Sequence, residues 1–230
     1  MVECMLDELA NGVWVASAPQ SFYGLQFGAR MTVIRLGDGT LFVHSPIAID
    51  APLRREIDAL GEVSHVVAPS LFHHVHAGGA IELYPDAKLH VAPGLAKKRP
   101  DLAGGETLGA KQDPGWRGEI EALSIDGTLL NETVFVHHPT GTLVCSDLVE
   151  NFQTSDDWIT RTYLKLSGVY GKPGLSRALR IAFRDKKAAR RSIDAILERP
   201  FDRVSLAHGV PIPSDGKETV RATYTWLEGR

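Results

Sequence analysis

Apolar and polar residues alternate in short runs through the first third of the chain, and such runs predict strands. "GVWVASAP" is one. In "ARMTVIRLGDGTLFVHSPI" two more, "MTVIRL" and "TLFVHS", flank "GDG", which predicts a hairpin. The period then changes. "DAPLRREIDALG" spaces Leu53, Ile57 and Leu60 at helical intervals behind Asp50, a residue type that caps helices. "SHVVAPS" predicts a short buried strand, "GGAIELYP" a brief helix stopped before Pro85, and "AKLHVAPG" another strand. Residues 97–118 are rich in Gly, Pro and charge, and read as surface connection. "EIEALSID" and "ETVFVHHPTGTLVCSDLV" predict strands, the second a hairpin turning at "PTG". From 156 the pattern is helical. "LSRALRIAFRDKKAARRSIDAILERP" sets Leu175, Leu179, Ala182, Phe183, Ala189, Ile193, Ile196 and Leu197 on one face. "FDRVSLAHG" predicts a last short strand, and "SDGKETVRATYTWLEGR" a closing helix capped by Ser214 or Asp215.

This order, without internal repeats, fits one α/β domain over residues 1–230, with two mixed sheets covered by helices. A net charge of −3 gives no basic footprint for nucleic acid. No apolar run approaches the ~20 residues of a membrane span. The start, "MVECMLDELANGVWV", lacks the charged-then-apolar layout of a secretion signal, so a cytoplasmic location is expected. Cys4 and Cys145 fit no C-x-x-C spacing. Cys4 reads as an exposed tail thiol and Cys145 as a small core residue, with no disulfide expected in that compartment.

The candidate chemistry lies in "SLFHHVHAGGA", where His73, His74 and His76 precede Gly78 and Gly79. They read either as a metal site or as polar loop residues with one packing histidine. Neighbours in an extended segment point opposite ways, so His73 with His76 is the better ligand pair than His73 with His74. A metal needs further ligands. Asp147 in "CSDLV" and His208 in "LAHGVP" each end an apolar strand, where loops of α/β folds gather functional groups. The plain alternatives are a helix cap for Asp147 and a backbone-bonded histidine for His208. His44 ends the strand "LFVHSP" and joins the candidates. His137 and His138 read as hairpin surface, His65 and His90 as strand-edge residues.

The N-terminal hairpin, "SHVVAPSLFHHVHAGG", "TLVCSDLV" and "LAHGVPI" together resemble the metallo-β-lactamase fold superfamily over nearly the whole chain. The resemblance implies a four-layer αββα sandwich of two mixed sheets, with a one- or two-metal site along one edge. The family loop reads H-x-H-x-D-H-x-G-G. Aligned on the glycines, this chain has Leu71, His73, Val75, His76, Gly78 and Gly79, so the first histidine and the aspartate are replaced. The family's bridging aspartate matches Asp147 and its last histidine His208. Its middle histidine should fall near "LSIDGT", where only Asp126 offers a ligand, and the aspartate that ends its early strand is replaced by His44. "LFVHSP", "YPDAKLHVAPGLAKKRPDL" and "FDRVSLAHG" look like a branch of the superfamily described as a domain of unknown function.

What the resemblance implies is a reduced site of His73, His76, Asp147 and His208 holding one Zn²⁺ or Fe²⁺. The leading expectation is a metal-dependent hydrolase acting on a small-molecule ester, lactone, thioester or phosphoester, with Asp147 as ligand and His44 or His74 as proton shuttle. A basic helix face of Arg177, Arg180, Arg184, Lys187, Arg190 and Arg191 reads as attracting an anionic substrate or, more simply, as solvated. The alternatives are a metal-free, non-catalytic binding module, favoured by Leu71 and Val75, and an iron redox activity. A homodimer is a candidate assembly.

Overall fold

Each strand that alternation predicts is present in the structure, a computed structural model that describes residues 5–109, 114–116 and 118–228. Cys4 lies outside the described residues. β1 (Asp7–Ala10) and β2 (Val13–Ala18) open the chain, and a ribbon of β3 (Ser21–Phe22) and β4 (Leu25–Gln26) follows. β5 (Ala29–Arg35) and β6 (Leu41–His44) form the expected hairpin. α1 (Ala51–Leu60) starts at Asp50, whose carboxylate accepts the Leu53 N–H at 2.9 Å. β7 (Val63–Ala68), α2 (Ala77–Leu83), β8 (Lys88–Val91), α3 (Leu95–Lys98) and β9 (Glu106–Thr107) complete the first half. The second half holds β10 (Ile120–Ser124), β11 (Thr133–His137), β12 (Thr142–Val144), α4 (Trp158–Ser167), α5 (Arg177–Arg180), α6 (Lys186–Leu197), β13 (Arg203–Ser205) and α7 (Gly216–Thr223).

Two main sheets result, ordered β1-β2-β5-β6-β7-β8-β9 and β10-β11-β12-β13. Both are mixed. β6, β7, β8 and β9 run parallel in the first, and β12 and β13 in the second. The period of two sorts the layers. Val33, Val43 and Val66 face Leu53, Ile57 and Ala80 of α1 and α2. Their neighbours Ile34, Phe42 and Val67 face the other way, onto Phe135 and Val144 of the second sheet. Val134, Val136 and Leu143 then meet Ile193, Ile196 and Val220 of α6 and α7. Helices, sheet, sheet, helices is the αββα sandwich.

Five expectations change. The apolar face from Leu175 to Leu197 is split between α5 and α6, because Gly127 O accepts the N–H groups of Arg184 and Asp185, and Asp185 then caps α6 through the Ala188 N–H at 3.0 Å. Asp215 precedes α7 but makes no side-chain cap; its own N–H donates to Asp202. Residues 97–118 are more than surface connection, since β9 pairs with β8 and Leu102, Leu108 and Trp116 are buried. His65 and His90 are not edge residues. They sit on neighbouring inner strands, His65 Nδ1 3.0 Å from His90 Nε2, with both rings against Trp116. His137 is likewise buried, 2.7 Å from Thr140 Oγ1, while His138 reaches Glu121.

Candidate metal centre

Parallel pairing sets the site. β6 and β7 end side by side in one sheet, β12 and β13 in the other, and the loops leaving those ends meet at one edge of the sandwich. The loop after β7 is held by Ser70, whose hydroxyl accepts the N–H groups of Phe72 and His73 at 3.2 and 3.0 Å. It turns His73 toward Asp147, which follows β12. His208, which follows β13, approaches the same carboxylate. Asp147 Oδ1 lies 3.4 Å from His73 Nε2 and 3.5 Å from His208 Nε2, and the three ligand atoms lie within 4.8 Å of one another. Those gaps are wide for hydrogen bonds. They suit donors gathered around one ion, since tetrahedral ligands at about 2.0–2.2 Å from zinc sit roughly 3.3–3.6 Å apart.

Each imidazole is fixed from behind. His208 Nδ1–H donates to Gly28 O at 2.9 Å, which leaves the Nε2 lone pair facing Asp147. Ser45 Oγ lies 3.0 Å from His73 Nδ1 and does the same for that ring. Ser45 holds a backbone φ of +50°, a conformation uncommon outside glycine and characteristic of strained functional positions. Gly209 has φ +90°, and a Cβ there would stand 2.0 Å from Asn151 O, so only glycine lets the His208 loop close on its neighbour. We expect Ser45→Ala to weaken zinc binding by about 10- to 100-fold at little cost in melting temperature, measured by competition with a chromophoric chelator.

Below the ligands is a carboxylate that sequence reasoning missed. Glu132 is buried and accepts the N–H groups of Ser146 and Asp147 at 2.6 and 3.1 Å, which fixes the loop that carries Asp147. Burial and the nearby Asp147 charge push its carboxyl up to about 8. Burial also opposes charge on Asp147 and His73, but each outweighs that for the other. Asp147 is held below the usual carboxylate range and His73 above the usual imidazole range. Burial and His73 drive His208 down to about 4. A lone Glu heading the apolar run "ETVFV" was the available signal for Glu132. Ser45 offered none.

The remaining expected site residues lie elsewhere. His76 sits at the N-terminal boundary of α2, half-buried in the cavity wall and outside the converging group, so the residues placed to hold a metal are His73, Asp147 and His208. His74 turns to Arg99, whose guanidinium donates to its Nδ1 at 3.1 Å. His44 is 1% exposed and packs against Phe135, and burial and His73 hold its imidazole down to about 3, so the ring is neutral at neutral pH. Asp126 is exposed; Leu130 lines the cavity instead. None of the basic helix residues is in the described cavity lining; Arg180 lies over Trp226 and Arg190 pairs with Asp194 and Glu228.

These three residues line a cavity of about 650 Å³. Phe27, Phe72, Leu130, Tyr163 and Leu179 contribute apolar wall, and Phe22 and Tyr23 bring the β3–β4 ribbon to its mouth. Residues 10–166 match the family model described as Domain of unknown function (DUF4336). The chain belongs to the DUF4336 family. No curated protein matches it. Among solved structures, the DUF4336 chain is similar to a metallo-beta-lactamase from Pontibacter korlensis, at TM-score 0.63 and 14% identity, over 99% of this chain and 100% of that one. A metallo-beta-lactamase from Hirschia baltica matches at TM-score 0.65 and 10% identity over 96% of each chain. FIM-1 from Pseudomonas aeruginosa, solved in its mono-zinc form, matches at TM-score 0.61 and 13% identity, over 99% of this chain and 96% of its own. At such identities the likeness shows the fold alone: this DUF4336 protein has the metallo-β-lactamase fold. Among the described residues no helix is long and apolar enough to cross a membrane.

Proposed function

We propose that this DUF4336 protein is a mononuclear metal-dependent hydrolase of small-molecule esters, lactones, thioesters or phosphoesters, working in the cytoplasm. The observation that carries the reading is the convergence of His73, Asp147 and His208 on the floor of a largely apolar cavity. Two imidazole nitrogens and one carboxylate oxygen suit zinc first and ferrous iron second. A bound ion would supply a Lewis acid that lowers the pKa of water and polarises the scissile group. The chain's own residues do the rest. Ser45 and the Gly28 carbonyl hold the two rings with Nε2 inward. Glu132 fixes the Asp147 loop. The aromatic walls exclude bulk water, which strengthens every charge interaction on the floor.

The test is a panel of ester, lactone, thioester and phosphodiester substrates, assayed with zinc or iron and again with chelator. Activity should require metal and vanish in the His73→Ala/His208→Ala double variant. Full activity in that variant would rule the mechanism out. Wild type that takes up no metal after growth with added zinc and iron would make the protein a binding module.

A further inference from the structure

Three residues beyond Asp147 stands a second acid that the metal site does not use. Glu150 is 6% exposed and belongs to the cavity wall. Its backbone is clamped on Gly174, N–H to O at 2.8 Å in one direction and 2.9 Å in the other. Its side chain is anchored on Ser176. Oε2 accepts the Ser176 N–H at 2.7 Å, and the Ser176 hydroxyl also bonds the carboxyl. A buried, anchored carboxyl in the wall of the cavity that holds Asp147 has the geometry of a proton-transfer group. Glu150 and Asp147 are the two acids in the described lining, and Asp147 belongs to the ligand set. The other ionisable neighbours fit this role less well. His73 and His208 are ligands, and His74 is held by Arg99. His76 and Lys98 line the cavity too, and the Lys98 ammonium donates to Leu71 O. Tyr23 and Tyr163 complete the lining, and Tyr224, whose hydroxyl feels the Glu150 charge, donates to Leu148 O.

We infer that Glu150 is the acid–base residue of the cavity: its carboxylate takes a proton from the attacking water and returns it to the leaving oxygen. The inference rests on the hydrolase reading above. The step balances. The water oxygen bonds to the acyl carbon as its proton passes to Glu150. The carbon–oxygen bond to the leaving group then breaks, and the same proton passes to that oxygen. Water is consumed, an acid and an alcohol are released, and Glu150 is unchanged. Burial, then the Asp147 charge, raise the Glu150 carboxyl against the pull of the Ser176 N–H, to about 7, so both forms are present at neutral pH.

The experiment compares zinc-loaded wild type with Glu150→Gln on p-nitrophenyl butyrate and ethyl butyrate. The amide oxygen can still accept the Ser176 N–H, so melting temperature and zinc content should match wild type. The kcat should fall about 100-fold, more for ethyl butyrate, whose leaving group needs the proton. The acid limb of the wild-type kcat/KM profile should be lost. Carboxyl carbon NMR on glutamate-labelled wild type supplies a readout independent of turnover. One glutamate should titrate at the midpoint of that limb, with its signal missing from the variant. Glu150→Gln within about threefold of wild type, with the limb intact, overturns the role. So does a wild type in which no glutamate titrates within about one pH unit of the limb, whether or not the variant folds. A zinc-bound wild type that cleaves neither ester overturns the hydrolase reading itself, and this role with it.

Discussion

Asp147→Ala is expected to abolish metal binding: elemental analysis should find about one equivalent of zinc or iron in wild type purified without chelator and less than about a tenth in the variant. Asp147 Oδ1 is the atom both imidazoles approach, at 3.4 and 3.5 Å, so its loss leaves two nitrogens on separate loops and no anion between them. A second measurement follows by linkage. A ligand that binds only the folded chain stabilises it by RT ln(1 + [L]/Kd), about 2.7 kcal/mol at a hundredfold excess over Kd. Wild type should therefore melt lower when chelator is added, and Asp147→Ala should not respond. A variant that keeps its metal would return the ligand assignment to His76.

Glu132→Ala has the largest expected effect on stability. It leaves the N–H groups of Ser146 and Asp147 buried without an acceptor. At about 1–3 kcal/mol each, the loss is roughly 2–6 kcal/mol, which for a chain of this size lowers the melting temperature by about 4–24 °C. Glu132→Gln keeps a carbonyl oxygen for both donors and should lose little. The two also differ in pH response. Glu132 in the folded, metal-free chain titrates at about 8 against an ordinary 4.5, so the folded state holds the extra proton between those values. Its contribution to stability is complete below the ordinary value and is lost as pH rises through about 8. Wild type should weaken along that limb in denaturant titrations, and Glu132→Gln should not. An equally steep limb in Glu132→Gln would assign the titration to another group.

The fold was legible because burial in a sandwich follows a period of two. Ile34 and Val33, Phe42 and Val43, and Val66 and Val67 take opposite faces, and both faces are covered. A run such as "MTVIRL", with Val33 and Ile34 side by side, already implies cover on both faces. The same reasoning overran at Leu175–Leu197. A helical period there spans two helices, and the break comes from Gly127, far away in sequence, capturing the Arg184 and Asp185 N–H groups. Of the candidate site, Asp147 and His208 were visible as polar residues ending apolar strands. His73 was named beside them from the loop motif, but the same spacing added His76, which the structure leaves outside the group formed where the two sheets come together. Glu132 and Ser45 act through contacts with loops distant in sequence, and no local pattern reports such contacts.

The parallel pairing that aligns the strand ends also sets a timetable. His73 and Asp147 are 74 residues apart, and the His208 ring is oriented by a carbonyl 180 residues away. Contacts of such separation close late, after the entropy of ordering the intervening chain has been met. Neither sheet alone carries the three ligands. During refolding from denaturant, uptake of a spectroscopically visible ion such as cobalt would therefore mark the final docking of one half-sandwich on the other, a clock for the last event in folding.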